Sequence, residues 1–286
     1  MDIRHNHRDL NPAQKTAFID AVLALKNDVD SVMHPGSQKR YDDFVEVHKN
    51  AMTGPAMFEP MPHGSPLFFP WHRILLRQFE LALQAVANDT SITLPYWDWN
   101  FSGTSNPFTP EFLGGDGDLA QGSIVTIGPF AYKTGRFEVR VWDESQGEPG
   151  LRREFGEDAN SWLPTATDIS AGIARTPYWA GPSCFVQVAS GVLHNPVHRW
   201  IGGNMADASS PNDPIFFLHH AFLDMLWEQW KKHHTTIATY LPASGSPGRD
   251  LNSTLIFHAP NEPSPWTESW TVGDVIDPEA LGYNYA

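Results

Sequence analysis

The sequence predicts a mainly α-helical fold: a four-helix bundle at its core, with long irregular loops and few short strands. Three observations predict it. Apolar residues recur at three- and four-residue spacing in five segments. Proline and glycine signals bound several of those segments. Between them, residues 95–162 and the tail from 241 lose any period among prolines, glycines and scattered aromatics. At 286 residues and 41% hydrophobic composition, the chain can bury one sizeable core, and we read 1–286 as a single domain.

The elements follow in order. Asn11 and Pro12 read as an N-cap and first helical residue, and Phe18, Val22 and Leu25 form the stripe behind them. In the second segment Tyr41, Phe44, Val45 and His48 share one helical face, so His48 points where the apolar residues point. After a stretch rich in Met, Pro and Gly over 52–66, Pro70 opens a third helix through Trp71, Leu75, Phe79 and Leu83. The irregular excursion over 95–162 carries at most short strands at 124–127 and 137–141. Helical character returns over 187–201, stopped by Gly202 and Gly203, and again from Asp213, an N-cap before Pro214, through Trp230. The tail over 241–286 is expected to wrap the core as extended chain.

The formal charge of −14, with no Lys/Arg cluster, argues against nucleic acid or an anionic membrane as partner. No apolar stretch approaches the roughly 20 residues of a spanning helix. A single cysteine, Cys184, makes no internal disulfide, and the charged first residues do not read as a secretory signal, so cytoplasmic residence is the expectation. Export alongside a carrier protein remains open.

Six of the 13 histidines sit where helices could gather them. His194 and His198 are four apart, on one helical face and within reach of one ion. His220 lies on the next helix beside Phe216 and Phe217, too apolar a setting for an imidazole without a partner. His48, His63 and His72 make a second cluster. Two sets of neutral imidazoles without a Cys pair or a Glu-x-x-His motif disfavour a di-iron carboxylate centre. Copper and zinc both suit the ligands; the lack of a general-base carboxylate beside the histidines favours copper.

Four segments then carry a resemblance to the tyrosinase family of type 3 copper proteins, especially its short bacterial members. They are Arg40-Tyr41-Asp42-Asp43-Phe44-Val45 leading to His48; His63-Gly64-Ser65-Pro66 followed by Phe69-Pro70-Trp71-His72-Arg73; Leu193-His194-Asn195-Pro196-Val197-His198; and Asn212-Asp213-Pro214-Ile215-Phe216-Phe217-Leu218-His219-His220. Pro95-Tyr96-Trp97-Asp98-Trp99 and Trp200-Ile201-Gly202-Gly203 extend it. The resemblance implies two copper ions, the first on His48, His63 and His72, the second on His194, His198 and His220, with dioxygen as co-substrate. Of the adjacent pair it assigns His220 as ligand. Helical geometry agrees that both cannot serve, since neighbours point about 100° apart, so His219 is expected to face elsewhere, into a hydrogen bond.

The resemblance also implies oxidation of o-diphenols or o-aminophenols to o-quinones or quinone imines. Asn195 matches a position where members that hydroxylate monophenols often carry Asn, to help hold a water that deprotonates the phenol. Its usual partner is a Glu eight or nine residues before His194; here those positions are Val186 and Phe185, and Gln187 is closest in character. A neutral amide holds water but lends it no negative charge. An o-aminophenol or catechol oxidase is therefore the leading expectation, and a true tyrosinase the alternative. A haemocyanin-like oxygen carrier is less favoured, for want of a shielding domain.

By the same resemblance Arg199 and the loop 204–210, with Asn204, border the entrance. Phe216 packs on the imidazoles and shapes an aromatic pocket. Asp224, four residues beyond His220, reads equally as an acceptor orienting that region and as a surface carboxylate. A partner that delivers copper is expected too, because bacterial relatives often need one.

Overall fold

The computed structural model describes residues 1–53, 61–99, 106–142, 147–259 and 261–286. Part of the Met-, Pro- and Gly-rich stretch, residues 54–60, lies outside these, as do residues 100–105 and 143–146 of the irregular excursion.

Helix α1 spans Pro12–Asn27, and its start is a reciprocal cap: Gln14 N–H donates to Asn11 Oδ1 and Asn11 N–H to Gln14 Oε1, both at 3.0 Å. Helix α2 spans Arg40–Thr53 and buries Tyr41, Phe44, Val45 and His48. Helix α3 spans Phe68–Ala87, two residues earlier than Pro70 suggests. Proline is tolerated throughout a first turn, where its missing N–H has no intrahelical partner in any case.

The helix expected over 187–201 is not a uniform α-helix. Helix α5 covers Phe185–Val188, a π-helical turn covers Ala189–His194, and α6 covers Asn195–Ile201. Pro196 is the cause: it cannot donate to the carbonyl of Val192 and its ring crowds that oxygen. The turn widens, and Asn195 N–H donates to Ser190 O, five residues back. Glycine ends α6 as expected; Gly202 has φ 66° and Gly203 φ 51°, and a Cβ on Gly203 would lie 2.2 Å from Arg152 O.

Helix α7, Ile215–His233, is buried on nearly every side. Asp213 caps it from two residues upstream, accepting Ile215 N–H at 3.1 Å while Arg153 grips the same carboxylate through Nε and Nη2 at 2.7 and 2.8 Å. A further helix, α4 (Ala166–Ile173), was not expected; Thr165 and Asp168 cap it reciprocally.

Strands are few. β1 (Asp2–Arg4) pairs in parallel with β4 (Tyr283–Tyr285), and β2 (Gly117–Asp118) pairs antiparallel with β3 (Ile124–Val125). Residues 137–141 form no strand: Val139 N–H reaches Pro149 O at 2.9 Å, but no ladder develops. Instead Phe137, Val139 and Val141 are all buried in the core, which runs from Phe18 to Val275. The tail is extended chain with two 3₁₀ turns, and it covers α2 and α3: Trp71 Nε1–H donates to Ile256 O at 2.7 Å, and Trp266 lies 5.9 Å from the Phe44 ring.

Helices α3 and α7 are cross-linked inside the core. Arg73, fully buried, donates to Asp224 Oδ1 at 2.8 Å and also to Glu228. The other Asp224 oxygen accepts the hydroxyls of Tyr283 and Tyr285, both at 2.6 Å. Asp224 therefore ties α3 and α7 to the C-terminal strand and is not a surface carboxylate. Among the described residues no helix is long and apolar enough to cross a membrane.

Candidate metal centre

The two histidine sets predicted from sequence come together at the heart of this bundle. His48 from α2, His63 from the following loop and His72 from α3 offer nitrogens within 4.8 Å of one another. So do His194 at the end of the π turn, His198 on α6 and His220 on α7, with His219 included in that second group. The sets face each other: the His72 and His220 rings stack at 4.4 Å, 13° from parallel.

What each ring does with its Nδ1 decides what its Nε2 can do. His48 Nδ1 lies 2.8 Å from Ala208 O, His72 Nδ1 2.7 Å from Phe68 O, and His198 Nδ1 2.7 Å from Met205 O. Carbonyl oxygens only accept, so in each ring Nδ1 carries the proton and Nε2 keeps a lone pair. His194 Nδ1 pairs likewise with Asn195 Oδ1 at 2.7 Å. In the first cluster the Nε2 atoms of His48 and His72, and both nitrogens of His63, are buried without any hydrogen-bond partner. Orphaned buried acceptors are costly; a shared cation removes the cost.

In the second cluster the Nε2 atoms of His194 and His198 each lie 3.3 Å from His220 Nε2. Two nitrogens bound at about 2.0–2.1 Å to one tetrahedral ion lie about 3.3 Å apart, so the donor set fits a metal. Burial keeps these imidazoles neutral. It lowers the pKa of His48 to about 3 and of His198 to about 4, and drives those of His63, His72, His194 and His220 well below the ordinary value.

Over the histidines opens a cavity of about 490 Å³ lined by His48, His63, His194, His198, Gln187, Asn195, Arg199 and Asp207, among others. Asn195, Arg199 and Asp207 are exposed at its mouth. Phe216 is fully buried behind the ligands, its ring 4.2 Å from His220 and 4.9 Å from His48. Asn204 lies elsewhere. Its Oδ1 accepts Arg152 N–H at 2.7 Å, and it faces an adjoining hollow rather than the main cavity; a buried amide takes the nearest backbone donor.

Sequence reasoning missed Phe68, whose ring lies 4.7 Å from His72 and 5.1 Å from His194, and whose carbonyl orients His72. Its place four residues before a helical ligand was the available signal. The carbonyls of Met205 and Ala208 were missed too, since a backbone oxygen leaves no mark in a sequence. His219 takes a hydrogen bond, Trp99 Nε1–H donating to its Nδ1 at 2.9 Å, but its ring stays with the second cluster, stacked 5.4 Å from His194.

A helical bundle that presents three neutral imidazoles to each of two facing metal positions, beneath an open pocket, fits a dinuclear metal protein. The model of the common central domain of tyrosinase matches residues 38–233. Tyrosinase from Streptomyces antibioticus is 38% identical over 94% of this chain and 94% of its own length. Grixazone synthase from Streptomyces griseus is 29% identical over 96% of each. Among solved structures, a polyphenol oxidase from Thermothelomyces thermophila superposes with a TM-score of 0.76 at 23% identity, covering all of this chain and 89% of that one. A functional unit of octopus haemocyanin gives 0.63 at 20%, covering all of this chain and 68% of the other. The chain belongs to the tyrosinase family and is one of its dinuclear copper oxidases.

Proposed function

We propose that this oxidase acts on phenols already bearing an ortho amino or hydroxyl group, converting o-aminophenols to quinone imines and o-diphenols to o-quinones in preference to hydroxylating monophenols. The observation that carries this reading is how Asn195 is used. Its Oδ1 accepts from His194 Nδ1–H; the remaining lone pair and the NH₂ can hold a water in the pocket, but a neutral amide is not a base. Gln187, which lines the same cavity, is equally neutral. Together they can orient a water or a phenolic oxygen but cannot take a proton from it.

The six imidazoles are no substitute, because each would hold copper. Copper held there would supply the redox chemistry, with two substrate molecules providing the four electrons and four protons that reduce one dioxygen to two waters. The chain then contributes shape and orientation: the open cavity admits a ring, Phe216 backs the imidazoles, and Arg199 at the mouth attracts an acidic substituent. Substrates whose first proton leaves easily lose least from the missing base.

True tyrosinase activity is the second reading. It is favoured by the identity to Streptomyces tyrosinases and by the Asp207 carboxylate in the same pocket wall. The open mouth, with Asn195, Arg199 and Asp207 exposed, argues against a shielded oxygen carrier.

Oxygen uptake by the copper-loaded protein on a monophenol, an o-diphenol and an o-aminophenol sharing one para substituent separates these readings. Rapid uptake on the last two, with little on the first, is expected. Equal monophenol turnover would establish the second reading.

The histidine pocket also leads us to propose loading by a copper-delivery partner, with residence in the cytoplasm. Support for the partner comes from the deep burial of the donors. Full activity after incubation with copper salts alone would refute the partner, and recovery of the mature chain in the culture medium would refute the location.

A further inference from the structure

The second cluster holds four imidazoles where the first holds three, and His219 is the extra one. It is fully buried, next to His220 in sequence, stacked on His194 at 17° and 5.0 Å from the His198 ring. Nothing in its distance from the others excludes it from binding the same ion. A fourth imidazole would close the coordination position that a catalytic metal keeps open for its substrates.

What sets His219 apart is its partner. The indole Nε1–H of Trp99 is a donor only, and it points at His219 Nδ1 from 2.9 Å. Nδ1 must accept, so the neutral ring carries its proton on Nε2, which has no lone pair to give. His48, His72, His194 and His198 are arranged the opposite way, each with Nδ1 facing an oxygen acceptor. Trp99 is held firmly for this: it is 2% exposed, packs edge-on against Phe222 of α7 at 4.7 Å, and belongs to a segment pinned to the same helix by Trp97 N–H to Leu218 O at 3.0 Å.

We propose that Trp99 is a positioning residue of the metal centre: by donating to Nδ1 of His219 it fixes the tautomer that cannot coordinate, and so keeps the fourth imidazole off the second copper. The inference rests on the copper reading of the six histidines, but its first test needs no metal. In nitrogen-15 NMR of the copper-free protein, the imidazole whose signals vanish in His219→Leu should show an unprotonated Nδ1 and a protonated Nε2. The reverse pattern overturns the proposal.

Copper-loaded samples extend the test. His219→Leu should retain as much copper as the parent chain; loss of half would make His219 a ligand and end the idea. Trp99→Phe, which keeps a ring but removes the donor, should raise the mean number of imidazoles per copper seen by X-ray absorption, and the double variant Trp99→Phe/His219→Leu should return it to the parent value. An unchanged number in a folded Trp99→Phe protein contradicts the proposal. If the parent chain took up no copper, the copper reading would fail, while the NMR result would still decide the tautomer.

Discussion

The residues around the copper positions divide by which nitrogen or oxygen they have left to offer. Asn195 holds His194 through its carbonyl oxygen and is a neutral amide, so taking a proton from a monophenol falls to Asp207 in the pocket wall or to an introduced base. Gln187→Glu places a carboxylate in the same cavity wall. It should raise monophenol turnover relative to o-diphenol turnover by about tenfold or more, below the full 10²–10⁴ of a well-aligned base; an unchanged ratio in oxygen-uptake assays would show that Gln187 does not face the reacting oxygen. The two histidine sets were legible because apolar periodicity places histidines on buried helical faces and a motif marks His63. The acceptors that orient them were not, because Phe68, Met205 and Ala208 act through carbonyls that every residue possesses. His219 was misjudged because helical arithmetic fixes where Cβ points, whereas an imidazole reaches several ångström beyond it and here lies back over His194.

Among the elements, α3 and α7 matter most, since each carries a ligand and their separation sets how closely the two clusters approach. Arg73, one residue after His72, and Asp224, one turn after His220, hold that spacing. Asp224→Ala leaves a fully buried guanidinium short of a partner and two tyrosine hydroxyls without their acceptor. It should destabilise the fold by about 3–5 kcal/mol, the range for breaking a buried ion pair, read as a lowered urea midpoint; a loss below about 1 kcal/mol would mean that the tail and Glu228 suffice. The long helices were readable from their periods, and α1 from its cap as well. Helix α4 was overlooked although Thr165 and Asp168 spell a capping pattern, because its eight residues are too short for a period to emerge. The π turn needed Pro196 to be read as breaking the ladder behind it rather than as an incidental residue. The stretch 137–141 alternates like a strand, but its apolar side chains fill core space without a neighbouring strand to pair with.

At the scale of the whole molecule, burying this many neutral imidazoles makes the copper-free fold sensitive to acid. The unfolded chain binds protons at its histidines below pH about 6.5, whereas the folded chain refuses them at His198 until about pH 4 and at His48 until about pH 3. Above pH 6.5 neither state is protonated there and stability is intact. As pH falls from 6.5 towards 4 the unfolded state alone gains protons, and stability should drop. Urea midpoints of the copper-free protein across that window should decline steeply, and a flat profile would contradict the burial. The proposed arrangement is two facing sets of three histidines, each holding one copper. It is tested most directly by copper analysis of the parent chain beside His72→Ala and His198→Ala, with circular dichroism to verify the fold. Two coppers are expected per parent chain, about one in each variant, and no oxygen uptake by either variant. Two coppers and retained turnover in either variant would contradict it.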